Sequence, residues 1–105
     1  MTQPSDIVDA ELVETLTLVE LCRVCRVPGD WVADLVAHGM LEPQGTDRDR
    51  WIFDDQAMRV VTRAYRLQYD LGLNLEGVAL ALSLLAKTED LQTRIRQLEA
   101  ALDAR

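Results

Sequence analysis

The run LTLVELCRVCRVPGDWVADLVAHGML, Leu16 to Leu41, constrains this chain more than any other stretch. It reads as two short helices joined by a tight turn, the arrangement with which many DNA readers begin. A DNA reader carries basic side chains on its second helix. This one offers Asp30 and Asp34 there.

The elements can be placed from local chemistry. Asp6 to Leu16 is ambiguous between a helical turn and a strand, although the alternation in VETLTL favours a short strand. Thr17-Leu18-Val19-Glu20 has capping-box spacing, which predicts a helix from about Leu18 to Arg26. Leu18, Leu21, Cys22 and Cys25 then form one apolar stripe. Val27-Pro28-Gly29-Asp30 makes the turn, and a second helix over about Gly29 to His38 turns Trp31, Val32, Leu35 and Val36 inward. Gly39 suits a left-handed C-cap, with Met40 and Leu41 packing back.

Glu42 to Arg50 is a polar loop and Trp51-Ile52-Phe53 a β-prone run, together the makings of a wing that pairs antiparallel with VETLTL. Asp54 or Asp55 caps a helix reaching Leu71, with Ala57, Val60, Val61, Ala64, Leu67, Gln68 and Leu71 on its core side. Gly72 closes it and Asn74 caps the next. Leu75 to about Lys87 is so apolar that enclosure on most sides is expected, and Thr88-Glu89-Asp90 suggests a bend or restart. In the tail, Leu91, Ile95, Leu98 and Leu102 alternate spacings of four and three, a seam of about two heptads that is too short to stand alone. It must pack on its own domain or on a second copy. The expected fold is mainly α: a winged helix-turn-helix over residues 1–87, a small two-stranded wing, and a C-terminal amphipathic helix over 88–105 that could join two copies.

Charge narrows the function. Residues 1–53 hold ten carboxylates and four arginines, a net of −6, whereas the remainder contributes −1 of the total of −7. Phosphate attraction needs the opposite sign, so the half that looks like a DNA module suits a basic partner, or simple solubility, instead. Arg59, Arg63 and Arg66 form a basic stripe, which three arginines alone do not turn into a nucleic-acid site. The opening MTQPSDIVDAE has neither a basic start nor an apolar centre, so no signal peptide, no membrane span and a cytoplasmic location are expected.

Nothing points to catalysis. Cys22 and Cys25 form a lone C-x-x-C inside a predicted helix, with His38 the only histidine; core thiols fit this setting better than zinc or a redox pair. His38 fits the last turn of a helix better than a catalytic role. Asp54-Asp55 diverge on a helix and cannot share a proton. No phosphate loop, catalytic triad or metal cluster is apparent, so no enzyme, cofactor or metal is expected.

From Leu16 to Leu85 the order of parts resembles the MerR-type helix-turn-helix, and LGLNLEGVALAL looks like the segment after that family's wing. Two departures stand out. Trp31-Val32-Ala33-Asp34-Leu35-Val36 replaces the arginine and aromatics of the family's second helix, and Arg50-Trp51 only partly matches the wing arginine. The chain is more similar to the CbpM-type chaperone modulators, an offshoot of that fold. The run WIFDDQAMRVVTRAYRLQYDLGLNLEGVALALSLL, Trp51 to Leu85, carries the likeness, with TLVELC, Thr17 to Cys22, in support. The resemblance extends to about Leu102. It implies a regulator that binds the J domain of a DnaJ-like, CbpA-type co-chaperone and blocks its co-chaperone and DNA-binding activities. From the acidic half, with exposed apolar side chains, Asp30, Asp34, Asp54 and Asp55 are the expected partner-binding residues, each with a cap or a solvated charge as its alternative role. A MerR-like DNA-binding regulator and a thiol sensor using Cys22 and Cys25 are the rival expectations.

Overall fold

In the computed structural model, which describes residues 15–104, the first helix starts where the Thr17–Glu20 spacing places it. Glu20 N–H donates to Thr17 Oγ1 (3.2 Å) and Thr17 N–H donates to Glu20 Oε1 (2.9 Å), the two bonds of a capping box. Helix α1 spans Leu18–Cys25 and ends on Arg26 in the left-handed region, φ 61°. Pro28 then stands before helix α2, Gly29–Ala37. Gly39, at φ 78°, lets the chain leave α2, with Met40 N–H donating to the Leu35 carbonyl (2.9 Å), so the glycine cap is in place.

The wing is small. Strand β1, Leu16–Thr17, pairs antiparallel with β2, Ile52–Phe53, in the register Leu16↔Phe53 and Thr17↔Ile52. Val13 and Glu14 of the expected strand lie outside the described residues. Ile52 also exchanges two backbone bonds with Gln44, 2.9 and 3.0 Å, which closes the loop between them. Gly45 is required in that loop: its φ is 98°, and a Cβ there would meet the Arg50 carbonyl oxygen at 2.8 Å. A single 3-10 turn, Arg48–Arg50, leads into β2.

Helix α3 spans Gln56–Leu71, and Asp54 Oδ1 accepts from Gln56 N–H (3.0 Å) at its start; Asp55 makes no such bond. Gly72 ends α3 in the left-handed region, and Asn74 Oδ1 accepts from Gly77 N–H (2.8 Å) to open α4, Leu75–Asp103. The core gathers Leu21 from α1, Val32 and Leu35 from α2, Phe53 from β2, Ala57, Val61 and Ala64 from α3, and Val78 from α4.

Three expectations need correction. Leu71 is 66% exposed, because α3 ends there and none of the described elements lies over it. The bend at Thr88-Glu89-Asp90 is absent: α4 is one helix of 29 residues, about 43 Å long. Residues 88–103 are therefore the second half of α4, not a helix of their own. Thr88 Oγ1 donates to the Leu84 carbonyl (2.8 Å), which satisfies the hydroxyl without interrupting the helix. Nor is Leu75 to Lys87 enclosed. Val78 alone is fully buried, Leu75 and Leu82 are half-buried, and Leu80 and Leu84 are exposed, since only one side of α4 meets the head.

Candidate protein-interaction surface

Helix α2 occupies the place of a reading helix, and its local sequence decides what it can touch. Val32 and Leu35 anchor it in the core, leaving Asp30 and Asp34 exposed one turn apart on the outer side. No basic residue lies in its last turn, and the first turn carries Asp30. The wing then folds a cation back: Arg48 Nη2 donates to Asp30 Oδ1 at 2.8 Å. Both groups are largely exposed, so the pair adds little stability. Its effect is orientational, tying the 3-10 turn to the start of α2. A Cβ on Gly29 would lie 3.4 Å from the same Arg48 nitrogen, so a small residue there keeps the approach open. An arginine engaged by its own carboxylate is less available to a phosphate backbone.

The four carboxylates expected to bind a partner are all exposed, but they do not form one cluster. Asp30 lies in the first turn of α2 and Asp34 one turn on, past its midpoint. Asp54 lies beside the residues that follow α2, in the wall of a 610 Å³ hollow shared with Gly39, Met40 and Leu41, and Asp55 follows it at the foot of α3. Asp54 is also committed as the cap of α3.

His38 closes the C-terminal end of α2. Its Nδ1–H donates to the Asp34 carbonyl (2.9 Å), and Nε2 lies 3.5 Å from Glu76 Oε2 in the first turn of α4. The Asp34 carbonyl, and then the Glu76 carboxylate, raise the imidazole above its ordinary value. Glu76 is lowered, first by its own backbone N–H and then by His38. This contact joins the helix-turn-helix to the root of α4.

The cysteines behave as core residues. Cys22 and Cys25 are free, half-buried and packed against the core cluster. Burial pushes both thiols up; Arg48 partly opposes this for Cys22, whereas Cys22 adds to it for Cys25. Neither is primed as a thiolate nucleophile. Among the described residues no three His, Cys, Asp or Glu side chains converge as a metal site, and no helix is long and apolar enough to cross a membrane. Of the basic stripe on α3, Arg63 is engaged by Glu89 of α4 at 2.9 Å.

Trp31 and Gln68 were both expected on inward sides, whereas Tyr65 and Tyr69 were not singled out. Trp31 is half-buried and donates from Nε1 to Gln68 Oε1 of α3 (2.7 Å). Its ring meets Tyr65 edge-on with centroids 5.9 Å apart, and Tyr65 meets Tyr69 at 4.3 Å. Tyr65 is 42% exposed and Tyr69 64%. The available signal was the four-residue spacing of these tyrosines, which lies off the core stripe Ala57-Val61-Ala64.

The second exposed apolar surface is on α4. Leu84, Leu91, Ile95, Leu98 and Leu102 share one side of the helix and are each more than half exposed. Among the described residues nothing covers them.

Residues 16–100 match the family described as MerR HTH family regulatory protein. The chain is 40% identical over 91 residues to a protein of Pseudomonas entomophila (strain L48) named chaperone modulatory protein CbpM, an alignment covering 87% of this chain and 90% of the relative. A protein of the same name from Pseudomonas putida (strain W619) is 38% identical over the same shares of each chain. That of Salmonella arizonae (strain ATCC BAA-731 / CDC346-86 / RSK2980) is 38% identical over 89 residues, 85% of this chain and 88% of the relative.

Proposed function

The chain belongs to the MerR-type helix-turn-helix family and, within it, to the CbpM chaperone modulatory proteins, and from that premise we propose that it is a non-enzymatic chaperone modulator. In this reading it binds the J domain of a DnaJ-like, CbpA-type co-chaperone in the cytoplasm and inhibits its co-chaperone and DNA-binding activities. The observation that carries the reading, beside the names of the relatives, is that the only charged side chains of α2 are outward-facing carboxylates, Asp30 and Asp34. Such a surface is repelled by polyanions and attracted to a basic polypeptide, for which opposite charge speeds encounter and sets orientation. Asp54 and Asp55 extend the acidic surface around the far end of α2. A second copy of the chain would cover the leucine side of α4, leaving the heads free for the J domain.

The test neutralises charge while keeping the caps. In the quadruple variant D30N/D34N/D54N/D55N, asparagine at 54 still caps α3, so the fold is retained. Titration calorimetry with a purified J domain should show affinity at least tenfold below that of the unaltered chain at low salt, with the gap narrowing as salt rises. Equal affinity would remove the acidic-surface model. The rival role as a DNA-binding regulator requires a shifted band with duplex DNA at low salt, which the charge of α2 opposes.

A further inference from the structure

Trp31, Tyr65 and Tyr69 form a continuous aromatic row that runs from the half-buried seam between α2 and α3 out to solvent. The row is preorganised. The Gln68 bond satisfies the indole N–H and fixes the Trp31 ring, whose position limits Tyr65, which in turn meets Tyr69. Stable packing needs no such arrangement: Tyr69 is 64% exposed and contributes little to the core. Exposed, ordered tyrosines beside a tryptophan have the composition and rigidity of interface hot spots.

The surrounding charge indicates the partner. Asp34 follows Trp31 by one turn on α2 and Asp70 follows Tyr69 on α3, both exposed; Asp30 is held by Arg48, and Arg66, between the two tyrosines, is the cation on this stretch of α3. Carboxylates beside electron-rich ring faces favour a lysine or arginine side chain, which gains from both.

We propose that this aromatic row anchors the chaperone partner by receiving a cationic helix, whose lysine or arginine stems lie across Tyr65 and Tyr69 while their charged ends reach Asp34 and Asp70. The proposal rests on the chaperone-modulator reading and adds the place where the partner sits. The carboxylates then steer and orient, and the rings supply the contact that slows dissociation.

The test compares full-length Y65A/Y69A, Y65F/Y69F and the unaltered chain for binding to the same purified J domain, with sedimentation to record each variant's mass. Both tyrosines are exposed, so the alanine variant should retain the far-UV spectrum, and the phenylalanine variant keeps the rings. The expected result is a loss of at least tenfold for Y65A/Y69A, affinity within about twofold for Y65F/Y69F, and unchanged mass. Full binding by Y65A/Y69A would overturn the anchor and leave the modulator reading standing. No binding by the unaltered chain would overturn both. A changed mass with retained J-domain affinity would assign the row to contact between copies and overturn the proposal as well.

Discussion

Val61 and Leu98 both lie on apolar helix sides that repeat every three and four residues, yet Val61 is fully buried and Leu98 is 65% exposed. The head surrounds its apolar faces because short connections turn each helix back on the last: Val27-Pro28 between α1 and α2, the wing before α3, and Gly72-Leu73-Asn74 before α4. The second half of α4 has the same periodicity, and among the described residues no apolar face packs against its leucines. Periodicity therefore marks a face that gains from cover, but it does not say who supplies the cover. The head's faces hold one chain together, and the free face of α4 is suited to holding two.

The largest effects should separate the regions most clearly. Leu35→Ala removes a fully buried side chain and should cost about 2–5 kcal/mol in urea unfolding. Leu98→Ala should leave unfolding of the dilute chain within about 0.5 kcal/mol. It should instead lower the sedimentation mass at concentrations where the unaltered chain self-associates. Equal destabilisation by the two would mean that the leucine side is covered within one chain, and the contrast would fail.

Threonine gives a finer comparison, because the same side chain has different tasks in the two regions. At Thr17 it is half of a capping box, and Thr17→Ala should cost about 1 kcal/mol in thermal unfolding, as α1 loses its start. At Thr88 the hydroxyl only returns to the Leu84 carbonyl inside a continuous helix. Alanine is the better helix former there, so Thr88→Ala should raise the helical signal, by a gain of about 0.5 kcal/mol. A loss at Thr88 as large as that at Thr17 would point to a structural contact on the free half.

Much of the head was legible because its signals are local. Thr17 and Glu20 set a helix start, Gly39 and Gly72 set helix ends, and Asn74 capped the next helix, each by chemistry within four residues. The apolar run Leu75 to Lys87 misled because composition measures how much a segment gains from burial, not how many neighbours reach it. The bend at Thr88 misled for a related reason: polar residues disfavour a helix only where their side chains compete with the backbone, and here Thr88 bonds backward without breaking it. At the candidate surface, Asp30, Asp34, Asp54 and Asp55 were legible as exposed carboxylates. That Asp54 sits beside the end of α2 while Asp30 sits at its start depends on how α3 is placed, and the aromatic row depends on Gln68 of one helix meeting Trp31 of another, which no sequence window contains.

The smallest predicted effect tests the joint between the two regions, the contact of His38 with Asp34 and Glu76. In the folded chain His38 is raised above its ordinary 6.5, so its contribution is complete below that pH and fades as pH rises through the folded value. Glu76 is lowered from 4.5, so its contribution is complete above that pH and fades as pH falls through its own folded value. The joint should therefore be strongest between pH 4.5 and 6.5. Both groups face solvent, and the effect should be slight and sensitive to salt. Thermal unfolding across pH 4 to 8 is the measurement: His38→Gln should flatten the decline above pH 6.5 while leaving the core transition in place. An identical decline in that variant would place the pH dependence elsewhere, and α4 would then be held to the head by Val78, its apolar neighbours and the Arg63–Glu89 pair.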